Sequence, residues 1–432
     1  MTTPAATPVT TTPYRVGSRL RCVLVALGLL LATAGCAGSD SPERVSIMVP
    51  WTQPAEFQAF YSLVKDFERD TDIQVDVQVT RALTQQLDAS VKGGSPPDLA
   101  VLPSVSAIVR YAGDKYGLQP LDTATVDIGA YLQPFGGLSQ VKGTTYAVPV
   151  KVDVKSLVWY DSKTTEKPPT DSTDALAGFT SRSGLTWCLG LASGPTSGWP
   201  GADWIADFML SDAGAEAYAR WVSGSLAWTS PEVERAWSRW RELLGERALK
   251  GADGRSFSYA AQAMTTPSPV CQLAHGARAA LAADSEKPTR LDFAEPSTSR
   301  PVQVSGDFVG MFTDDNPSAR RFVAHLAGVR GQQSWIDAQG TSAFSAHTEV
   351  TGYANTVQQR IATILNPRSG YRLCFSAADV MPPDVAAAFY RAVLDYADAA
   401  NSLSEQLTKL KEMPLGPRNL LVPENAVCST PT

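Results

Sequence analysis

Apolar and polar residues alternate in a regular order just after the N-terminal region. Residues 45–51 (VSIMVPW) are almost entirely apolar and rich in β-branched side chains, which predicts a buried strand. In residues 55–69 the large apolar side chains recur every three or four positions, as they do on one face of a helix. Residues 73–79 (IQVDVQV) alternate strictly, as a strand does, and a helix over 82–92 and a buried strand over 98–103 follow. This order predicts a parallel α/β sheet.

Further elements are predicted towards the C-terminus. Residues 144–155 and 306–312 are rich in apolar and β-branched residues, which predicts two more strands. A run rich in Pro, Ser and Thr over residues 161–183 predicts a loop. Largely helical patterns cover four longer segments, 203–249, 316–337, 353–366 and 383–412. The chain of 432 residues is therefore placed in the α/β class, with room for two domains or one large bilobed body.

Residues 1–35 have the pattern of a secretory signal peptide. Three arginines precede the apolar run CVLVALGLLLATA, which is too short for a good transmembrane helix. The run leads into TAGC, ending at Cys36, and this resembles the lipobox of bacterial lipoproteins. That resemblance implies a lipid on Cys36 and a polar tether over residues 36–43. A plain signal peptide cleaved near Ala34 is the alternative.

Charge and composition exclude some partners. The formal net charge is −6 and basic residues form no block, so nucleic acid is not predicted as a partner. The three histidines are scattered, and no spacing of cysteine and histidine is typical of a zinc site. The sequence therefore predicts no metal and no cofactor. Hydrolase motifs such as GxSxG and HExxH do not occur in the sequence, and no enzymatic activity is predicted. The alternative is a glycosidase, which needs a pair of carboxylates and no such motif.

The cysteines predict disulfides. Once the leader is removed and Cys36 carries lipid, four cysteines remain: Cys188, Cys271, Cys374 and Cys428. An even number of cysteines outside the cytoplasm favours disulfide bonds, and four cysteines allow three pairings. We favour the pairing of Cys188 with Cys271 and of Cys374 with Cys428, because each bond then closes a loop of moderate length.

Several stretches of the chain resemble a known family. They are Trp51 with Glu56, FERDTDIQV (67–75), GGSPPDLAVLP (93–103), YAVPVKVDVKSLVWYD (146–161), WCLGLASGPTSGWPGADWIADFML (187–210) and GDFVGMFTDDNPSARRFVAHLAG (306–328). In their order and spacing, these stretches resemble the bacterial extracellular solute-binding proteins that serve ABC transporters. Within that family the resemblance is to the carbohydrate-binding branch, which includes α-glucoside and maltose-type receptors.

The resemblance implies a two-lobed α/β fold. In this fold the lobes are joined by crossing hinge strands, and the ligand binds in a cleft between them. Carried over to this chain, lobe one comprises residues 44–150 and 295–345. Lobe two is richer in helices and comprises residues 151–294 and 346–425, and residues 426–432 form a tail.

Two tryptophans in the run GPTSGWPGADWI (194–205) are candidates for ligand contact. A sugar presents C–H groups on its face and hydroxyl groups on its edge, so a receptor needs aromatic surfaces and carboxylates. Trp199 and Trp204 fit the first need and Asp203 fits the second, while the alternative is that Trp204 closes a core. Trp51 and Glu56 follow the first strand, and ligands collect at the carboxyl ends of strands in open α/β sheets.

Four other residues complete the predicted site. The resemblance places Asp307 at the cleft, close to the second crossing between lobes. Trp159 and Tyr160 lie just past the predicted hinge, and packing in a core is the alternative for both. Asp98 follows two prolines at the start of a strand, where a role in a turn or cap is the alternative to ligand contact.

The resemblance implies a receptor rather than an enzyme, anchored outside the cytoplasm through the lipid on Cys36. It would act as a monomer, bind a carbohydrate, in particular an oligosaccharide such as an α-glucoside, and deliver it to the permease subunits of an ABC importer. One alternative is the same transport role for another small ligand, such as a polyol, an amino sugar or a glycerophosphodiester. Another is a sensor or scaffold receptor that does not take part in transport.

Overall fold

The computed structural model describes residues 43–281, 291–398, 403–415 and 421–430. The predicted leader and the lipidation of Cys36 lie outside these residues. Within the described ranges, none of the helices combines the length and the apolar character that a membrane span requires.

The strands form a six-stranded sheet, a three-stranded sheet and a two-stranded ribbon among the described residues. In chain order the strands are β1 (Arg44–Val49), β2 (Gln74–Val79), β3 (Leu99–Leu102), β4 (Gln140–Val141), β5 (Thr144–Thr145), β6 (Ala147–Val154), β7 (Val158–Asp161), β8 (Leu273–His275), β9 (Leu291–Ala294), β10 (Val302–Met311) and β11 (Leu373–Phe375).

Helices connect and cover these sheets. In chain order the helices are α1 (Pro54–Thr71), α2 (Leu83–Lys92), α3 (Val105–Tyr111), α4 (Phe135–Leu138), α5 (Thr173–Ser183), α6 (Trp199–Val222), α7 (Pro231–Leu249), α8 (Tyr259–Thr265), α9 (Arg278–Leu281), α10 (Pro317–Ala327), α11 (Val329–Asp337), α12 (Thr356–Leu365), α13 (Ala377–Val380), α14 (Pro383–Ala397), α15 (Leu403–Lys411) and α16 (Glu424–Val427).

The six-stranded sheet contains the parallel core that the first five elements predict. β1 pairs in parallel with β2 on one side and with β3 on the other. β10 is antiparallel to both β3 and β6, and its first residues pair in parallel with β11. The prediction of a parallel α/β sheet is thus confirmed for β1 to β3, and β10 makes the sheet mixed.

Helix α1 shows why the sequence folds locally as predicted. A proline stands in its first turn, where a missing N–H costs nothing, and Asp72 ends it in the left-handed conformation. Its apolar stripe, which includes Phe60, Val64 and Phe67, is buried. The stripe packs the helix against the sheet and leaves the polar face in solvent.

The three-stranded sheet lies in a second part of the chain that is rich in helices. β7 is its central strand and pairs in antiparallel fashion with β8 and β9. Helices α6 and α7 and the connection between them bring four buried tryptophans next to α14: Trp221, Trp228, Trp237 and Trp240. Three of these indole rings have centroids 5.0 to 5.7 Å from the ring of Phe389. This aromatic cluster forms the core of the helical part.

The two sheets are joined by short connections. β6 leads into β7 through residues 155–157, and β9 leads back into β10 through residues 295–301. Because β6 and β10 pair with each other, both connections leave the large sheet at neighbouring points. The β6–β10 pair is therefore the junction between the two parts of the molecule.

The prediction of a loop over residues 161–183 is wrong for its second half, because residues Thr173–Ser183 form helix α5. Ser172 caps this helix by accepting a hydrogen bond from the Ala175 N–H, and Gly184 ends it with a left-handed backbone. Serine and threonine are typical of both loops and helix N-termini, so composition alone did not separate the two.

The predicted disulfide pairing is confirmed. Cys188 is bonded to Cys271 and Cys374 to Cys428, with Cα–Cα distances of 5.3 and 4.0 Å. The first bond ties the segment before α6 to the segment before β8, and the second ties β11 to the residue after α16.

We expect loss of the second disulfide to lower the free energy of unfolding by about 2 to 4 kcal/mol, because the bond restricts the unfolded chain. Replacing Cys374 and Cys428 together with alanine, followed by urea unfolding, measures this effect. The matched control replaces Cys188 and Cys271, whose longer loop predicts a loss of similar size. An unchanged unfolding midpoint in both double variants would show that the cross-links do not stabilise the native state.

Candidate ligand-binding site

A cavity of about 310 Å³ lies beside the junction of the two sheets. The segment after β1, β6 and β10 contribute residues to its lining. So do the start of α6, residues next to and within α8, and residues of α9 and α13. Four of the residues predicted from the sequence line this cavity: Trp51, Glu56, Trp199 and Asp307.

Strand β6 and the residue directly after it bring three charged side chains to the cavity. Lys151, Asp153 and Lys155 alternate with Val152 and Val154, and successive residues of a strand point to opposite faces. The valines are buried in the core, whereas the charged residues line the cavity. The sequence KVDVK therefore builds a charged floor on a strand that is otherwise apolar.

Lys151 stands at the centre of the first charged cluster. Its ammonium group pairs with Glu56, and its Nζ lies 3.8 Å from Oδ2 of Asp153. Burial by itself lowers the pKa of Lys151, but the carboxylates of Glu56, Asp153 and Asp307 outweigh it and raise the pKa above its usual value. Lys151 therefore remains charged and offsets much of the acidity around it.

Asp307 is held at the same end of the cavity. The Trp51 indole Nε1 donates a hydrogen bond of 2.9 Å to its Oδ2. The pairing of β10 with β6 is irregular directly after Asp307, as at a β-bulge, which changes the direction of the side chains there. Burial raises the pKa of Asp307.

Lys155 organises a second cluster on the helical side. Its Nζ lies 3.0 Å from Asp203 and 3.5 Å from Asp379, a residue of α13. The same atom is 5.5 Å from the centroid of the Trp199 ring, at a cation–π distance. Burial raises the pKa of Asp203 to about 6 despite the charge of Lys155. Asp203 does not line the cavity and instead supports Lys155 from behind.

Trp199 provides the principal aromatic surface. It is the first residue of α6, and Gly198 before it has a φ of 102°. A side chain at Gly198 would collide with the backbone oxygen of Tyr390, so glycine allows this helix to start close to α14. Phe257 lies 5.7 Å from Trp199, and the Arg81 guanidinium lies 5.0 Å from the Phe257 ring, also at the cavity.

The structure does not bring Trp204 to the cavity. In a helix, five residues correspond to almost one and a half turns, so Trp199 and Trp204 face different sides of α6. Trp204 is only 3% exposed, and its ring packs against Trp187 at 4.8 Å and His275 at 4.3 Å. Trp204 thus closes a core, which was the alternative interpretation.

The predicted pair on β7 is also buried away from the cavity. The Trp159 Nε1 donates a hydrogen bond of 2.8 Å to the backbone oxygen of Gly276, and its ring packs against Phe293. Tyr160 is 5% exposed. Both residues hold the three-stranded sheet together, because β7 is its central strand.

Asp98 has a structural role at the far end of β1. Its Oδ2 accepts hydrogen bonds of 2.8 Å from both the backbone N–H and the hydroxyl of Ser46. Its Oδ1 accepts one of 3.0 Å from the side chain of Asn316. These bonds tie β1 to the turn before β3 and to the start of α10, in keeping with the alternative of a turn or cap residue.

Residues 62–353 match the family described as bacterial extracellular solute-binding protein. The match covers well over half of the chain. The chain belongs to this family. As a solute-binding protein it is a receptor for a solute outside the cytoplasm, of the kind that serves ABC transporters, and not an enzyme.

Two curated relatives support this placement of the solute-binding protein. One is the alpha-glucosides-binding periplasmic protein AglE of Rhizobium meliloti, 28% identical over 392 residues that cover 83% of this chain and 84% of the relative. The other is the osmoprotective compounds-binding protein GgtB of a Synechocystis species, 28% identical over 408 residues that cover 89% of this chain and 96% of the relative.

A solved structure shows the fold of the solute-binding protein. The bacterial solute receptor AcbH, described as having an exclusive preference for β-D-galactopyranose, aligns with a TM-score of 0.72 at 19% identity. The alignment covers 86% of this chain and 97% of AcbH. The predicted two-lobed α/β architecture is confirmed by this likeness.

Sequence reasoning missed part of the cavity of this solute-binding protein. Lys151, Asp153, Lys155 and Phe257 line it, and so does Asp379. One signal was available, because three charges at alternate positions of an apolar strand are unusual in a core. Phe257 has no comparable signal, since only the packing of α8 brings it opposite Trp199. Within the described residues, no cluster of side chains has the arrangement of a metal site.

Proposed function

We propose that the cavity binds a neutral carbohydrate of the α-glucoside type, which the receptor delivers to the permease subunits of an ABC importer. The observation that carries this proposal is a cavity that aromatic rings and carboxylates line together. Trp199 and Phe257 supply rings, and Glu56 and Asp307 supply carboxylates. Such a lining suits the apolar face and the hydroxyl edge of a sugar ring.

The charge balance of the cavity supports a neutral ligand. Both lysines are already neutralised, Lys151 by Glu56 and Lys155 by Asp203 and Asp379. Arg81, which is exposed, is the remaining cation among the described lining residues, so three cations face four carboxylates there. A phosphate-bearing ligand such as a glycerophosphodiester would add to this excess of negative charge instead of meeting the cations that it needs. A polyol lacks the ring face that would use Trp199. An α-glucoside is therefore preferred over these two alternatives.

The relatives support the same ligand class. The name of one relative records binding of α-glucosides, and that of the other records osmoprotective compounds. From the first relative we transfer only the expectation of a small, neutral, hydroxyl-rich solute.

We propose that residues 44–150 with 295–345 form lobe one and that residues 151–294 with 346–425 form lobe two. In this division Glu56 and Asp307 belong to lobe one, and Trp199 belongs to lobe two. A ligand that contacts both sides stabilises the closed arrangement, and only this difference in affinity drives closure. The β6–β10 junction would act as the hinge.

We also propose that the mature receptor is a monomer held at the outer surface of the membrane by a lipid on Cys36. The basis is the lipobox-like sequence before Cys36. A single acyl chain binds membranes only weakly, so stable anchoring requires a multiply acylated cysteine.

Calorimetric titration of residues 37–432, which contain the packed body of the chain, tests the ligand proposal. The panel consists of maltose, trehalose, longer α-glucans, unrelated sugars, mannitol and glycerophosphocholine. We expect saturable binding of at least one α-glucoside with a dissociation constant in the micromolar range or below. Binding of mannitol or glycerophosphocholine alone by the folded protein would overturn the α-glucoside assignment.

A further inference from the structure

The ring of Trp199 is held differently from the rings of two other tryptophans near the junction. Trp51 and Trp159 are each fixed by a hydrogen bond, which the indole N–H donates to Asp307 and to the backbone oxygen of Gly276 respectively. Among the described residues, none accepts a hydrogen bond from the indole of Trp199. The orientation of this ring therefore depends on the side chains that pack against it.

A buried cation faces the Trp199 ring. Nζ of Lys155 lies 5.5 Å from the centroid of the indole, within the range of a cation–π contact. Only 11% of the Lys155 side chain is exposed, although it borders the cavity. Cation–π contacts are stronger where water is excluded, so this contact restrains the ring more than one at the surface would.

Lys155 is fixed in turn by three acceptors. Its Nζ lies 3.0 Å from Asp203, 3.4 Å from the hydroxyl of Ser376 and 3.5 Å from Asp379. An ammonium group has three N–H donors, and these three acceptors can engage all of them. The charge of Lys155 is therefore committed within the protein, which suits it to holding the ring and not to binding a ligand directly.

The position of Lys155 in the chain connects the ring to the junction. Lys155 lies in the connection between β6 and β7, one of the two crossings between the sheets. Asp203 stands four residues after Trp199 on α6, so both residues lie on the same face of that helix. Asp379 belongs to α13. One lysine side chain thus links a crossing, two helices and the aromatic ring.

We propose that Lys155 is a positioning residue, which fixes the Trp199 ring relative to the crossing between the sheets and acts on sugar affinity through that ring. The inference rests on the proposed carbohydrate function and adds to it the device that presents the aromatic surface. Groups that contact a ligand are most effective where a second layer of side chains fixes their rotamers. Lys155 supplies that second layer for Trp199.

A double-mutant cycle with maltose and trehalose as probes tests how Lys155 acts. Lys155→Met keeps the length of the side chain and removes its charge. We expect it to weaken binding about tenfold in the wild type, and less than about twofold in the background of Trp199→Ala, where the ring is missing. Equal losses in the two backgrounds would mean that Lys155 acts independently of Trp199, and the inference would be wrong.

A second pair of variants guards against a failure to fold. Lys155→Met leaves the Asp203 carboxylate buried without its nearest cation, whereas Lys155→Met combined with Asp203→Asn removes both charges of the pair. The combined variant should show the same loss of about tenfold. Asp203→Asn alone is the matched control, because it keeps the cation at the ring, and it should lose less than about threefold. If Asp203→Asn alone binds as weakly as the combined variant, the cation is not responsible and the inference fails.

A measurement without sugar separates this inference from the proposed function. In protein labelled with fluorotryptophan, the fluorine NMR resonance that disappears in Trp199→Phe belongs to Trp199. We expect Lys155→Met to shift and broaden this resonance, and to leave those of Trp221 and Trp237 in the helical core unchanged. An unchanged Trp199 resonance overturns the inference whether or not sugars bind. A changed resonance in a protein that binds no sugar overturns the carbohydrate function, while the positioning of the ring by Lys155 stands.

Discussion

Trp199→Ala should weaken sugar binding by about 2 kcal/mol, or about 30-fold, with little change in stability. The indole is half-buried at the start of α6 and borders the cavity, so its loss removes the main surface for a sugar ring. The side chain lies outside the apolar core, so truncation leaves no void within it. Calorimetry with the tightest-binding sugar, combined with urea unfolding, measures both quantities.

Trp199→Phe is the conservative control for this substitution. Phenylalanine keeps a flat apolar surface of smaller area, so it should retain a substantial part of the affinity. If the alanine variant binds as tightly as the wild type, the ligand does not stack on this ring, and the location proposed for the site is wrong.

Trp204→Ala should leave the affinity for sugar nearly unchanged. It should lower the free energy of unfolding by about 3 to 5 kcal/mol. Trp204 is enclosed by Trp187, Phe208 and His275, and its removal leaves a void that these neighbours fill only partly. Urea unfolding of the ligand-free protein gives the loss of stability. Titration under conditions where the variant is folded should give an affinity close to that of the wild type.

Trp204→Phe provides the matched control, because it keeps an aromatic ring in the same space and should cost less than the alanine variant. A Trp204→Ala protein with normal stability and lost affinity would contradict the burial of this residue. Together the two tryptophans test whether binding and folding are divided between opposite sides of one helix.

Hydrophobic periodicity predicts the first half of the fold well. Strand β1, helix α1 and strand β2 form where the pattern changes period, because each buries one face against the same core. The same reasoning brings Trp51 and Glu56 to the cavity, since both follow the carboxyl end of β1. Loop length was sufficient to select the disulfide pairing among three possibilities.

The assignment of the two tryptophans shows where sequence reasoning ends. The helical pattern was predicted to begin only at residue 203, so that Trp199 and Trp204 could both face one cleft. The structure starts α6 at Trp199, which rotates Trp204 into the core. At this start Gly198 passes close to the backbone of Tyr390, a contact that joins residues distant in sequence.

The charged residues in and directly after β6 illustrate a second limit of sequence reasoning. Alternation predicts that Lys151, Asp153 and Lys155 share one face of a strand, but it does not say what that face borders. Their partners come from separate helices: Glu56 from α1, Asp203 from α6 and Asp379 from α13. A buried charge is tolerated only beside such partners, and tertiary structure alone brings them together.

The disulfide between Cys188 and Cys271 ties together the segments before α6 and before β8, whereas the other ties β11 of the six-stranded sheet to the C-terminal segment. The chain has no cysteine from residue 37 to residue 187, so no disulfide holds the segment that carries Glu56. The first cross-link limits the conformations open to the chain next to Trp199 before any ligand arrives, so less entropy is lost there on binding. Preorganisation by covalent cross-links is therefore unequal among the segments that line the cavity.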